Sequence, residues 1–579
     1  MSDLLLMGDH PAKMLAGEVE AIGLDSETTG LRWEDRVIGI SLGWQESGAY
    51  KSCYLLDAYG TGQIPMWGVA GTISSDDVIR AIPKARVVAM ANHSFDFRFL
   101  MKQYGLRPMA NVVEIQHVAR HLAPQPLGVS LETLRGKYVG TVPKDYADMK
   151  SKRGSLAKMD AEIVAQYARE DALGTLQIYD NFKNVPALSL YKRNHIWDQR
   201  FMYLIMQLVE RGIPLDLDHI KNRIKTYRRR MIELGTHLVS QGISNPNYAK
   251  DVMGYAISKG IPLANTQAET LEELDLDRYP DLSAVIEYRQ LSKALGSWLE
   301  VMEKHGEWDQ RLHSLLNPFG TRSYRMSSED PNAQGIPMEA RGNRAFGSMF
   351  GIFKSPDPSV QIWALDIKQA ELRLAATVSR DESLLAAVSD STDDPYNNLA
   401  RVIWNDTAKR YMAKRALLSA IYEVGKVKFA ATNGISENEA LSILTTIRKR
   451  FPTAMSTAKA MARATEQTGM VMLATNRPRW IQQDEKGHEY KAFNQYVQGN
   501  LAEVMREAML RIEDRLPNRL ILQVHDSVAM LLDADKDARE KQFAIVQECL
   551  TSTVQDILGK KYDPAPFPID PKPYQFVDS

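Results

Sequence analysis

The chain has 579 residues, 44% hydrophobic and 25% charged, with a formal net charge of −1 and two cysteines, Cys53 and Cys549. At about 150 residues per domain, that length predicts three or four cores rather than one. The longest strongly apolar run, "FMYLIMQLV" (201–209), is far short of the roughly 20 residues of a membrane span; two distant cysteines make no disulfide framework; and "MSDLLLMGDHPAK" lacks the basic and apolar regions of a secretory signal. A membrane protein and a secreted disulfide scaffold are excluded, and a reducing, cytoplasmic setting is expected.

Residues 1–185 alternate short apolar runs ("VIGISLGW", "SCYLLDAY", "RVVAMANHS") with helical patterns, as in an α/β domain. Ala21 to Leu24 predicts a buried strand that runs into Asp25 and Glu27, and charge at a strand end is costly without a cation nearby. "NHSFD" sets Asn92, Phe95 and Asp96 after a second apolar run, and "YARED" sets Tyr167 and Asp171 four apart, on one helix face. Four carboxylates without matching bases call for a cation, and oxygen-only ligands point to Mg²⁺ or Mn²⁺. Two such ions clamp a phosphodiester and activate a water. A lone DxE is usually a turn or cap; three such motifs in order argue for a site.

"KNVPALSLYK" (183–192) reads as a connector, and 195 to about 305 as nearly all helix. Within it "KNRIKTYRRR" (221–230) holds six basic residues and no acidic one, opposite an apolar stripe of Ile220, Ile224, Tyr227, Met231 and Leu234. A solvated helix face would explain the cluster alone. After 311 strands return. "VQIWALDIKQAELR" is an apolar strand ending in Asp366, and "RLILQVHDSV" one ending in Asp526. Singly, either is more often a turn residue; as a pair on adjacent strand ends they suggest a second two-metal site. The region 395–470 reads as helical. In it Arg410, Lys414, Leu418 and Tyr422 fall four apart, a stripe about 18 Å long on a helix. Its cations suit a triphosphate and its aromatic a base. Residues 401–430 hold seven basic residues against two acidic, and local basic stripes in a neutral chain suit an enzyme that holds DNA. No internal repeat or low-complexity segment is present.

The set DxE, NxxFD and YxxxD resembles the 3′–5′ proofreading exonuclease domain of the DEDD superfamily, tyrosine subtype. That resemblance implies that Asp25, Glu27, Asp96 and Asp171 bind two metals and that Tyr167 orients the attacking water. From about 195 onward the chain resembles the DNA polymerase I family (family A). "DIKQAELR" resembles its motif A, "RYMAKRALLSAIYE" its motif B and "QVHDSV" its motif C. "TRSYRMSSEDPNAQGIP" (321–337) resembles the thumb-to-palm segment, "NQYVQGNLAE" (494–503) a helix that touches the minor groove, and "YRQLSK" with "ALGSWLE" the end of the thumb. The implied fold is α/β multidomain, an RNase H-like exonuclease domain (1–185) followed by a right-hand polymerase: thumb 195–310, palm 311–394 and 481–579, fingers 395–480. The implied chemistry is template-directed DNA synthesis with proofreading. Asp366 and Asp526 hold two Mg²⁺, for which Mn²⁺ substitutes. Arg410 and Lys414 bind the triphosphate, and Lys414 is a candidate donor to the leaving group. Glu371 excludes a 2′-OH beside Leu418, Tyr422 abuts the templating base, and Arg325, Gln498 and His525 contact the primer terminus or minor groove, where every correct pair presents similar acceptors. The implied partners are primer–template and single-stranded DNA and dNTPs, with no membrane; a monomer is expected, with a replicative helicase or primase as candidate partner. The layout, without the 5′-nuclease domain of some members, is phage-like.

The resemblance has departures. Leu418 stands where Phe or Tyr is usual, Glu423 where Gly follows the Tyr, Ser527 where motif C continues with Glu, and Ile367 and Lys368 where Tyr and Ser are common. Altered substrate handling is expected from them. Two other readings use the same residues: an exonuclease whose polymerase half only binds DNA, and a single-subunit RNA polymerase, which Glu371 opposes.

Overall fold

The structure, a computed structural model, describes residues 3–574 other than 31, 33, 59–68, 123–128, 142–152, 186–187, 273, 337–349, 391–392, 482–486 and 560–563. Pro337 of the thumb-to-palm segment and two residues of the predicted connector lie outside the described residues. Among the described residues no helix is long and apolar enough to cross a membrane.

The first sheet has seven strands: β1 Asp3–Gly8, β2 Ala21–Thr28, β3 Val37–Glu46, β4 Ala49–Leu56, β5 Val69–Ser74, β6 Val87–Met90 and β7 Val112–Glu114. Their order is β5-β1-β4-β3-β2-β6-β7, with β2 antiparallel to β3 and parallel to β6. The helix Ala161–Phe182 lies across β2, β3 and β4. Glycine permits that approach: a Cβ on Gly23 would run into the carbonyl of Ala172, and one on Gly43 would sit 3.1 Å from the amide of Leu173. Side chains alternate along a strand, so Asp25 and Glu27 share the face of Gly23, toward this helix. Ser26 faces the other way. β6 pairs only with Ala21, Ile22 and Gly23 of β2, which leaves the far end of β2 open to the helix His93–Tyr104.

The connector is shorter than the sequence suggests, because the helix Leu188–Arg211 begins inside it. That helix buries Met202 and Met206 in the core of the first sheet and Phe201, Leu204 and Leu208 in the large core that follows. The helices Leu217–Ser240, Ala249–Ser258, Pro280–Ala294 and Glu300–Gly306 come next, the last two joined through a π-helical turn, Leu295–Leu299. On Leu217–Ser240, Ile220, Ile224 and Leu234 are buried, Tyr227 and Met231 half-buried, and Lys221, Lys225 and Arg229 exposed. Arg228 and Arg230 are tied to Glu300 and Glu287, each at 2.7 Å.

The second sheet is antiparallel, in the order Leu520–Val524, Ser527–Asp533, Val360–Ile367, Ile569–Pro573. The helical stretch after 395 consists of Pro395–Trp404, Arg410–Ile421, Lys426–Asn433, Glu437–Arg450 and Pro452–Thr468. The helix carrying Arg410 stops at Ile421, so the expected stripe ends in a cap residue, Tyr422, rather than in a fourth helical turn. Glu423 takes φ 55°, the left-handed conformation that ends helices and favours glycine. The departure noted at 423 thus falls where a side chain costs most.

One buried network stitches the two halves together. Arg477 is fully buried; its Nη1 and Nη2 donate to Asp198 at 2.9 and 2.6 Å, its Nε to Glu503 at 2.8 Å, and its Nη1 also to His121 Nε2 at 2.8 Å. Arg506 donates to Glu503 at 2.6 Å and to the carbonyl of Tyr324 at 2.9 Å. Since His121 Nε2 accepts, its proton sits on Nδ1, which donates to the His117 carbonyl at 2.8 Å. Burial, and then the neighbouring Arg477, hold the His121 pKa down to about 3. Trp480 Nε1 donates to the His121 carbonyl at 3.0 Å, and Arg120 to the carbonyl of Phe319.

Candidate active sites

The first site is assembled at the open end of β2. Asp96 lies in the first turn of the helix His93–Tyr104, whose N-cap Asn92 has φ 56°. Its Oδ1 accepts from the Ser26 amide at 3.1 Å and the Ser26 hydroxyl at 2.7 Å. Asp96 therefore closes on the strand beside Ser26, while Asp25 and Glu27 face the helix that carries Tyr167 and Asp171. Asp25 is half-buried; Glu27, Asp96, Tyr167 and Asp171 are buried. Arginines not singled out in the sequence flank the acids. Arg135 approaches Asp171 at 3.6 Å and donates to the Glu170 carbonyl at 3.0 Å, lying across Gly174, where a Cβ would be 2.7 Å away. Arg98 is buried between the rings of Phe95 and Phe99, its guanidinium 5.2 and 4.5 Å from their centroids. Burial pulls its pKa to about 10 against the pull of Asp96.

Glu114 anchors the start of the Asp96 helix. Its carboxyl accepts from the His93 amide at 2.6 Å and the Gln116 amide at 3.0 Å, yet burial pushes its pKa up to about 7. A carboxyl whose folded pKa is raised favours folding most below its unfolded value, 4.5, and that contribution is lost as pH rises toward 7. Glu114→Gln keeps an acceptor and no longer ionises, so its thermal midpoint should fall less than the parent's between pH 4.5 and 7. Parallel melting curves across that range would refute the assignment.

The second site sits at one end of the second sheet. Asp366 is the penultimate residue of its strand; Asp526 lies not in a strand but in the two-residue turn between Leu520–Val524 and Ser527–Asp533, after His525 at φ 54°. The Ile367 amide donates to the Asp526 carbonyl at 3.1 Å, which brings the two aspartates side by side. Asp366 registers against Ser527 on one side and Asp570 on the other. Asp570, not singled out in the sequence, pairs with Lys368 and Lys572, each at 3.5 Å. Burial and then the Asp526 charge push Asp366 up to about 6; Asp570 adds to this while Lys572 and Lys414 oppose it. Asp526 is raised by burial, opposed by Arg325.

Around the pair, Arg325 reaches Glu371 Oε1 at 3.1 Å and Asp526 Oδ1 at 3.4 Å, and Gln498 Nε2 donates to the same Glu371 oxygen at 3.4 Å. Glu371 is in the first turn of the helix Ala370–Ser379, directly after the Asp366 strand. Arg325, Glu371, Gln498 and Asp526 thus form one chain of contacts, and His525 lines a small cleft with Arg325 and Asp526. On the helix Arg410–Ile421, Leu418 is half-buried and Lys414 exposed, and Tyr422, the cap residue after it, is half-buried. Arg410 is held by Asp394, at 2.8 and 3.1 Å.

Among the described residues no three His, Cys, Asp or Glu side chains stand close enough to hold a metal ion by themselves. The donor set still fits Mg²⁺ at the second site. Two adjacent carboxylates whose mutual repulsion a cation would relieve, with open coordination for substrate oxygens, is how that ion is usually bound beside phosphates.

The chain thus carries two separate acidic groupings, one around the end of β2 in a sheet-and-helix unit and one at the end of an antiparallel sheet that a helical stretch with Arg410 and Lys414 accompanies. The model of DNA polymerase family A matches residues 247–558, and that of a 3′-5′ exonuclease matches residues 11–186. The chain belongs to DNA polymerase family A, with an exonuclease domain preceding the polymerase domain. It is 23% identical over 537 residues to DNA polymerase I of Borreliella burgdorferi, covering 88% of this chain and 58% of the relative. It is 26% identical over 459 residues to DNA polymerase I of Chloroflexus aurantiacus, covering 72% and 47%. The chain thus spans about half the length of these curated relatives. Its fold is similar to that of the POL domain of Pol1 from M. smegmatis, solved in complex with DNA primer-template and dNTP, with a TM-score of 0.75 at 16% identity over 97% of each chain.

Proposed function

We propose that the chain is a template-directed DNA-dependent DNA polymerase with 3′–5′ proofreading, working on primer–template and single-stranded DNA with dNTPs. The observation that carries this reading is the adjacency of Asp366 and Asp526 within the contact chain of Arg325, Glu371 and Gln498. Mg²⁺ at Asp366 and Asp526 would polarise the phosphoryl oxygens and the primer 3′-OH. Arg410 binds the triphosphate, and Lys414 hands a proton to the leaving pyrophosphate. Glu371, fixed by Arg325 and Gln498, lies beside the incoming sugar and leaves no room for a 2′-OH. Arg325, Gln498 and His525 contact the primer terminus or the minor groove. In the first site Asp25, Glu27, Asp96 and Asp171 would hold the divalent ions of the exonuclease, which would activate a water that Tyr167 would orient. The division into thumb 195–310, palm 311–394 and 481–579, and fingers 395–480 belongs to the same reading, as does a cytoplasmic setting, which two buried free thiols suit.

A primed template offered dNTPs or NTPs is the test. Extension with dNTPs supports the reading; shortening alone would mark a nuclease, and extension with NTPs an RNA polymerase. Asp25→Ala/Glu27→Ala is expected to abolish 3′-end degradation while extension persists, because the two acid sets sit on different sheets. Undiminished degradation by that double variant would refute the exonuclease assignment.

A further inference from the structure

We infer that Asp394 is a positioning residue for nucleotide binding: it grips one edge of the Arg410 guanidinium and presents the other edge to the triphosphate. This rests on the polymerase reading above. Asp394 ties together three elements that meet at the second site. Its Oδ1 caps the helix Pro395–Trp404, accepting from the amides of Tyr396 and Asn397 at 2.9 and 3.0 Å. Its Oδ2 accepts from Gln369 Nε2 at 2.8 Å, and Gln369 is the N-cap residue of the helix that carries Glu371. With both oxygens so fixed, the carboxylate takes Arg410 Nε at 3.1 Å and Nη2 at 2.8 Å. Burial opposes ionisation, but Arg410 and the cap amides hold Asp394 below the usual carboxylate range.

The geometry favours positioning over competition. A guanidinium carries its donors on two usable edges. Asp394 occupies Nε and the adjacent hydrogen of Nη2, which leaves Nη1 and the outer hydrogen of Nη2, a fork that matches phosphate oxygens. Arg410 is otherwise a long, exposed side chain, and holding it beforehand removes part of the ordering cost of binding. The buried ring of Tyr396, two residues on, completes the cradle: the Arg410 guanidinium lies 5.4 Å and the Lys414 ammonium 5.9 Å from its centroid. The neighbouring pair Asp393–Arg401, at 2.6 and 2.9 Å, shows the contrast. It joins half-buried Asp393, just before the N-cap, to exposed Arg401 in the last turn of the same helix, and so bridges no second element.

The test is equilibrium binding of dGTP, in Ca²⁺, to an exonuclease-deficient protein on a dideoxy-terminated primer with templating dC. Asp394→Asn keeps a good N-cap and removes the charged grip. It should weaken dGTP binding about tenfold and raise KM for dGTP similarly, with kcat and the affinity for primer–template changed much less. In an Arg410→Ala background the same substitution should have little further effect, because the two side chains act as one unit. An equal effect in both backgrounds, tighter dGTP binding by Asp394→Asn, or a parallel loss of DNA affinity and kcat would each overturn the inference. A parent that binds dGTP normally with an unchanged Asp394→Asn overturns this inference alone, whereas a parent that binds no dGTP overturns the polymerase reading with it.

Discussion

Asp526→Ala should remove nucleotide addition, by about a thousandfold or more in single-turnover rate, and leave 3′-end degradation in place. The side chain is one of two carboxylates at the sheet end, and a cation clamp that loses one shared ligand loses charge and geometry together; several kcal/mol of transition-state stabilisation corresponds to that factor. The fold should survive the change. Asp526 is held through its carbonyl, which accepts from the Ile367 amide, and Arg325 keeps its contact with Glu371. Asp366→Ala is expected to behave the same way, since its strand is held by pairing on both sides. A rate within tenfold of the parent for either variant would mean that the paired aspartates are not the synthetic centre.

Arg477→Ala should produce the largest loss of stability of any single change proposed here, about 3–5 kcal/mol. The arginine, Asp198 and Glu503 are all without solvent exposure in their side chains. Removing the cation leaves Asp198 with no charged partner at hydrogen-bond distance among the described residues, and Glu503 with Arg506 alone. His121 is held neutral and only accepts from Arg477, so it cannot replace the lost charge. Because these groups come from both halves of the molecule, the thermal midpoint of both should drop, by about 3–4 °C for a chain of this length. Arg477→Lys keeps the charge but not the fork, and is expected to fall between the two. A midpoint within about 1 °C of the parent for Arg477→Ala, a shift of about 1 kcal/mol, would mean that water relaxes the site and the network is not what joins the halves.

Much of both sites was legible along the chain because their residues sit at the ends of regular elements. The apolar run before Asp25 and the one before Asp366 have the pattern of buried strands, and alternation along a strand puts Asp25 and Glu27 on one face whatever surrounds it. Helical spacing alone puts Tyr167 and Asp171 together. Periodicity failed where a helix had to end. Nothing in the spacing of Arg410, Lys414, Leu418 and Tyr422 marks Ile421 as the last helical residue, and a glutamate carries the left-handed turn that a glycine would have advertised.

The sequence by itself determined the acids, their order and the strands and helices that carry them, since these depend on local pattern and near neighbours. Only the tertiary structure decided their partners. Asp570 stands beside Asp366 because a strand 200 residues later pairs in one register and not another. Asp394 grips Arg410, and Arg477 joins Asp198 to Glu503, across loops and domain boundaries. A charge inside a protein must be paired or hydrogen-bonded, but which opposite charge meets it is set by how the sheets and helices pack, and no periodicity in the chain records that.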